Sequence, residues 1–436
     1  MKKIKSGIIY LIIILNSLLF GVGGAGATYL LISPGAEAAG MGEAMVAYSG
    51  TPIMSYYNPA ALIFTNSGIS VSRNKWLPSI FGNSHQTFLS LNYNVSIKHS
   101  IGANYQYSYL GEFLNTKVIS LNYAYKLSDF SSVSIAVKQC DEKYYWETYN
   151  SASEDYNPNR KNIFYDLSFF RQKNNLNLGF HLANMGKPIA HIDIAQADPA
   201  PTNLSMGLFY TFYDDEHNKL SFSFQMDKLL VTRYQMMDWD GDGLVGGYDE
   251  LGTFISENDP GAVYNKDGEK EYDQLGYFDD PWYKAIFTAW IDDWLLGGDI
   301  DYSGDRKIGG YTWNSELDDN EDGKPDEDEL EPSETGIYGD DCLNRKCVIE
   351  KGTGDNRSFK NELEEMIYKF GIEYKYTESF LLRTGYFHNK EGKIFNPTIG
   401  FGIRLLQYGF DFGFTGGKKD SPRYNTKYFS IYYHFK

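Results

Sequence analysis

Cysteine is scarce in this chain: Cys140, Cys342 and Cys347 are the only three in 436 residues. So few cannot supply the framework of a disulfide-held scaffold. Histidine is scarce too; the seven are scattered, with no metal-ligand spacing among them. No stretch beyond the N-terminal apolar run holds 18 consecutive apolar residues, which excludes a later membrane-spanning helix. Positive charge is the minority, 40 Lys and Arg against 57 Asp and Glu, and an acidic surface is a poor partner for nucleic acid. There is no phosphate-cradling Gly-rich loop, no dinucleotide fingerprint and no nucleophile set beside a base, so no enzyme chemistry is expected.

What the chain does have is aromatic residues. Tyr, Phe and Trp number 36, 28 and 7, together 16%. Transmembrane β-barrels place such residues in girdles at both membrane interfaces. The start is also marked. Met1, Lys2, Lys3 and Lys5 precede an apolar run from Ile8 to Phe20, and Ala25-Gly26-Ala27 follows. A basic start, a short apolar core and an A-x-A site predict a signal peptide over residues 1–27, cleaved before Thr28.

Beyond it, alternation with period 2 dominates. Ile119, Leu121, Tyr123 and Tyr125 alternate with Ser120, Asn122 and Ala124. Tyr368, Phe370, Ile372, Tyr374 and Tyr376 alternate with Lys369, Gly371, Glu373 and Lys375. Such apolar-out, polar-in patterning is that of an all-β transmembrane barrel in contact with outer-membrane lipid. About fourteen strands are expected, nine over residues 66–232 and five over 363–436. The last strand ends on Phe429, Ile431, Tyr433 and Phe435, as barrel closure requires.

The connections give a second signal. Joints such as "SIKHS", "RQKNN" and "YTES" are short, and joints such as "YYWETYNSASEDYNPNRK" and "TGGKKDSPRY" are longer. Outer-membrane barrels have short periplasmic turns and longer outer loops. The alternation falls into register with both termini periplasmic, which places the segment 233–362 outside the cell. That insert is strongly acidic. From Asp238 to Lys360 it holds 33 acids and 11 bases, a net of −22 that leaves +5 for the rest of the chain.

Residues 28–65 contain "EAAGMGEAMVAYSGTPIMSYYNPAALIF". Small residues pack closely and bend freely, and Asn58-Pro59 forces a turn. The segment is expected on the periplasmic side, folded up inside the barrel as a plug, or hatch. Its low charge and its Met41, Met45, Ile53 and Leu62 speak against disorder.

These residues resemble a known family. Gly40-Met41-Gly42 within "AAGMGEAMVAYS", and Asn58-Pro59-Ala60 within "YYNPAAL", are similar to the hatch of FadL-like outer-membrane barrels. "RNKWLPSI", "HIDIAQADPAPTNL", "LSFSFQMDKLLV" and "GFGIRLLQYGFDF" resemble the PorV/PorQ branch of that group, which is associated with type IX secretion. The resemblance implies a fourteen-stranded barrel with an N-terminal plug. It further implies that the protein collects substrates from the secretion translocon by their C-terminal signal domains. The wider FadL-like group implies the alternative, uptake of hydrophobic small molecules.

The insert carries the sharpest local chemistry. "DWDGDGLVGGYD" places Asp238, Asp240 and Asp242 at loop positions 1, 3 and 5, the Leu244 carbonyl at 7 and Asp249 at 12. "DDNEDGKPDEDE" repeats the layout with Asp318, Asn320, Asp322, the Lys324 carbonyl and Glu329. Calcium takes six to eight hard oxygens, and alternate residues of a tight loop supply them. Two calcium sites are therefore expected; a merely solvated acidic loop is the other reading. "DDPWYKAIFTAWIDDW" predicts a helix capped by Asp280, with Trp282, Ile286 and Trp290 as a stripe packed inward or serving as a docking face. Cys342 and Cys347 are candidates for a local disulfide, and Cys140 is expected buried in a strand.

Overall fold

A strand in a barrel wall meets lipid with one side chain and the lumen with the next, so the alternating stretches become strands. The computed structural model describes residues 25–75, 83–111, 114–145, 159–190, 197–231, 233–238, 276–279, 282–290, 310–313, 330–333, 359–390, 392–419 and 421–436. Fourteen strands close into one antiparallel barrel. They are β1 (Gly68–Asn74), β2 (His85–Asn94), β3 (His99–Leu110), β4 (Leu114–Ser128), β5 (Ser131–Tyr144), β6 (Asn159–Lys173) and β7 (Leu176–Gly186). Then come β8 (Asn203–Asp214), β9 (Asn218–Leu229), β10 (Ile367–Tyr376), β11 (Phe380–Asn389), β12 (Ile394–Leu405), β13 (Tyr408–Thr415) and β14 (Thr426–His434).

Closure is made by β1 and β14, from Gly68 opposite His434 to Asn74 opposite Tyr428. No strand of the barrel is left with an open edge, since each pairs with a neighbour on both sides. The facing follows the pattern. Ile119 and Leu121 on β4 are exposed, whereas Ser120, Asn122 and Ala124 are buried. Phe429 and Ile431 on β14 point out, and Tyr428 and Ser430 point in. No helix among the described residues is long and apolar enough to cross a membrane; the strands make the crossing.

One end of the barrel carries the tight turns, the other the longer connections. Asp215 shapes the turn between β8 and β9. It accepts from the Tyr213 hydroxyl at 2.5 Å and from the N–H groups of His217 and Asn218 at 2.8 and 2.6 Å. These donors, the Tyr213 hydroxyl first, hold its carboxyl at about 2. The alternation of loop length is not strict: β3 and β4, and β11 and β12, are joined at the loop end by residues 111–113 and 390–393 alone.

Between β9 and β10 lie two small hairpins, Arg233–Asp238 with Gly276–Asp279 and Gly310–Trp313 with Leu330–Ser333. Helix α3 (Trp282–Thr288) buries Ala285, with Ala289 buried one turn on. The Trp282–Ile286–Trp290 stripe flanks that buried line, with Trp282 exposed and the other two half-buried, and Tyr283 and Phe287 face solvent. Helix α4 (Phe359–Glu365) precedes β10 and occupies the start of the stretch 363–436, so the tenth strand begins only at Ile367. Glu362 and Glu365 of α4 bind Lys228, which points outward from β9 and is covered by the helix.

Candidate functional site

The N-terminal segment runs inside the barrel along its length. Its first described residues sit at the loop end, where Ala27, Tyr29 and Leu30 pack against Val118, Cys140 and Phe164 of β4, β5 and β6. The Gly26 N–H donates to the Pro199 carbonyl at 2.9 Å, in the connection between β7 and β8. Its last residues reach the turn end, where Nδ2 of Asn92 donates to the Thr65 carbonyl at 3.0 Å. The segment therefore spans from one mouth of the barrel to the other. Cys140 is buried in β5, as its strand position required.

Most of the segment is not regular secondary structure, so its backbone groups need partners. Non-helical backbone at membrane depth is tolerated only where protein or water satisfies it. The wall supplies hydroxyls and amides. Ser430 Oγ accepts from Ala36 N at 2.8 Å, and Gln225 Oε1 accepts from both Met45 N and Val46 N at 2.8 Å. Ser223 donates to the Ala44 carbonyl at 2.5 Å, and Ser132 to the Ala60 carbonyl at 2.6 Å. Thr398 accepts from Gly42 N at 3.0 Å.

Helix α1 (Ala36–Gly40) lies on β12 and β13 through small residues. A Cβ on Gly40 would lie 3.0 Å from the Gly400 Cα. Gly42 has φ of +61°, and a Cβ there would meet the Phe370 carbonyl at 2.5 Å. The wall answers with glycine pairs across its ladder: Gly179 opposite Gly207, Gly371 opposite Gly385, Gly400 opposite Gly413. Met41 is fully buried against Gly371. Helix α2 (Met54–Tyr57) is followed by the 3-10 turn Pro59–Phe64. Asn58, wholly buried, accepts from Ala60 N at 3.2 Å and donates to the carbonyls of Val46 at 2.8 Å and Phe169 of β6 at 3.1 Å. Pro59 then starts the turn where no N–H is needed. Gly40, Met41, Gly42, Asn58 and Ala60 thus sit at contacts between segment and wall, with Pro59 buried beside them at the start of the turn.

Among the described residues, three clusters of charge stand inside the barrel. On β10, β11, β12 and β13, Arg383 Nε donates to Glu373 at 2.7 Å and Nη1 to Asp411 at 2.5 Å, and Arg404 reaches Asp411 at 3.0 Å. Tyr48 of the segment adds a 3.4 Å contact to Glu373. On β5, β6 and β7, Asp166 binds Lys138 at 2.7 Å and His181 at 3.2 Å. It also accepts from Asn184 N at 2.8 Å, in place of the ladder bond lost where β6 and β7 slip register. The third cluster joins Asp227, Lys369, Glu43 and Arg423.

The calcium-loop residues Asp240, Asp242, Leu244, Asp249, Asp318, Asn320, Asp322, Lys324 and Glu329 lie outside the described residues, as do Cys342, Cys347 and Asp280. Asp238 is described only as the last residue of a short strand. No group of three acidic, His or Cys side chains fit to hold a metal occurs among the described residues.

The family model described as "Type IX secretion system protein PorV" matches residues 22–236. The chain belongs to the PorV family. The match covers the lumen segment and β1 to β9 and stops where the insert begins. No curated relative matches. Among solved structures, a FadL homologue from Pseudomonas aeruginosa is similar at 9% identity and TM-score 0.40, over 95% of this chain and 100% of that one. The toluene transporter TodX of Pseudomonas putida is similar at 11% identity and TM-score 0.43, over 92% and 96%. Barrel and family together indicate the outer membrane.

Sequence reasoning did not single out Glu43, Asp227, Lys369, Arg383, Asp411 or Arg423. The signal available was a charge at a polar-in position of an alternating strand, such as Lys369 and Glu373 in "YKFGIEY". That signal marks a lumen charge without naming its partner.

Proposed function

We propose that this barrel serves protein export by type IX secretion, receiving secreted proteins through their C-terminal signal domains and passing them to the attachment machinery at the surface. The family match over residues 22–236 carries this reading. The segment bound along the lumen supports it, since a filled barrel suits a docking component better than an open pore. Residues 28–65 act as its plug, and residues 1–27 as its signal peptide. The tight turns and the end of the last strand are periplasmic, and the longer connections, the insert and the start of the lumen segment face outward. The insert holds calcium at its two twelve-residue loops.

The rival reading, uptake of hydrophobic molecules, calls for an apolar route. Many inward-facing residues of β1 to β4 are instead polar, Ser70, Ser72, Gln86, Ser90 and Asn92 among them, and the apolar Phe88 and Val118 are taken up by packing against the segment. That supports export over uptake. A clean deletion tests it. Type IX substrates are expected to remain in the periplasm with their C-terminal domains uncleaved. Normal surface display, with lost growth on a hydrophobic nutrient, would replace export with uptake.

A further inference from the structure

The third charge cluster joins three parts of the chain. Asp227 stands on β9 and Lys369 on β10, the two strands that flank the insert, and Lys369 Nζ binds Asp227 Oδ2 at 2.7 Å. Glu43 belongs to the N-terminal segment, with Oε2 at 3.8 Å from Lys369 Nζ. Arg423 comes from the connection between β13 and β14 and pairs with the other Glu43 oxygen. Its guanidinium lies 4.1 Å from the centre of the Phe387 ring, and Lys369 lies 5.4 Å from the same ring.

Two acids face two bases, so the set is neutral as long as all four are present. Three of its side chains are buried and Arg423 is nearly so. The loop that carries Arg423 is fixed at its base. Gly416 N donates to the Pro397 carbonyl at 2.9 Å, and Ser421 Oγ donates to Asn396 Oδ1 at 3.1 Å. Backbone bonds from Tyr424 N to the Ser421 carbonyl and from Thr426 N to the Arg423 carbonyl then shape a turn that presents Arg423 inward.

Withdrawal of Arg423 would leave Asp227 and Glu43 sharing one lysine in a place with little water. A buried charge stripped of its partner is strongly disfavoured. Of the two acids, Asp227 is tied by Lys369 and by Gln225 Nε2 at 2.7 Å, whereas Glu43 has only the 3.8 Å contact left. Glu43 is therefore the group that must move toward water, and the segment moves with it. Gln225 also holds Met45 N and Val46 N, so the disturbance reaches the residues that follow Glu43 in the segment.

We propose that Glu43 and Arg423 form a latch, by which the loop between β13 and β14 holds the lumen segment shut and releases it when Arg423 is drawn out. The latch is a property of the barrel whatever its cargo, so its failure would leave the export reading standing.

The test uses the full-length protein reconstituted in vesicles, with Cys140→Ala, Cys342→Ser, Cys347→Ser and a reporter, Ala47→Cys, on the buried segment. The readout is the rate of maleimide labelling. Band mobility of unheated samples on gels confirms that each variant has a folded barrel. Arg423→Gln and Glu43→Gln are each expected to speed labelling by about tenfold or more, because each strands a buried charge. The double variant is expected to label no faster than either single one, since the two residues act through each other. Arg423→Lys keeps the charge with milder disturbance and is expected to label faster than wild type but slower than Arg423→Gln. Lys419→Gln, exposed in the same loop, is expected to change nothing. A folded Arg423→Gln or Arg423→Lys barrel labelled at the wild-type rate would overturn the latch. So would single effects that multiply in the double variant.

Discussion

Small residues decide how closely the lumen segment approaches the wall. At Gly385 an added Cβ would lie 2.3 Å from Gly42 N and 2.4 Å from the Met41 carbonyl carbon. Those are backbone atoms and cannot turn aside, so the segment as a whole would have to shift. Overpacking of this kind costs about 1–3 kcal/mol. Gly385→Ala is expected to destabilise the folded protein by that amount, read as a lower temperature for loss of the folded band on gels. Gly416→Ala, whose added Cβ would meet nothing closer than 3.4 Å, should leave that temperature unchanged. Equal effects of the two would show that backbone contact at Gly385 is not what sets the spacing. The pattern "GFGIRLLQYGFDF" displays such glycines in the chain, yet which of them touch the segment depends on the facing strand.

At the scale of elements, the insert differs from the barrel in its physics. It concentrates a net charge of −22 between Asp238 and Lys360, and so repels itself. Two calcium loops would each cancel two charges and order a loop of a dozen residues. Extracellular calcium modules bind at roughly 10⁻⁴ to 10⁻³ M, so tight sites are not needed outside a cell. Position 12 of the first loop is Asp249, shorter than the usual Glu, which would weaken the proposed site relative to the second. Chelation is expected to leave the barrel folded and to make the insert protease-sensitive. Replacing Asp240 and Asp322 by Ala should give the same sensitivity with calcium present. Equal resistance with and without chelator would reduce the carboxylates to a solvated surface. The ends of the insert are secured separately, since α4 holds Lys228 through Glu362 and Glu365 without any metal.

For the whole molecule, the proposed orientation follows from which end carries the turns. Asp215 lies in a tight turn beside the strand ends, and its carboxyl is committed to Tyr213, His217 and Asn218. An epitope near Asn150 or Asn265 is expected to be reached by antibody on intact cells, and one near Asp215 only after permeabilisation. Labelling near Asp215 on intact cells would invert the barrel. The lumen segment adds a second constraint, because its N-terminal end packs at the loop mouth. In the proposed orientation, the newly cleaved end of the chain would stand near the cell exterior, and the segment would descend from there to β1.

The strands were legible because their cause is local. Lipid on one side and lumen on the other impose a period of two on every strand, and a stretch such as Ile119 to Tyr125 carries that period within itself. Closure was legible for the same reason, in the aromatic alternation of the last strand. The turn at Asn58-Pro59 was also written locally, by a side chain that caps and a ring that cannot donate. Who meets whom across the lumen was not. Glu43 and Arg423 are 380 positions apart, and Arg383 meets Asp411 from a different strand. A lumen charge pairs with whatever the closed cylinder sets opposite it, and that depends on the register of every strand between them and on the path of the segment inside. The sequence by itself could say that such charges face inward; only the closed barrel decided which of them neutralise one another.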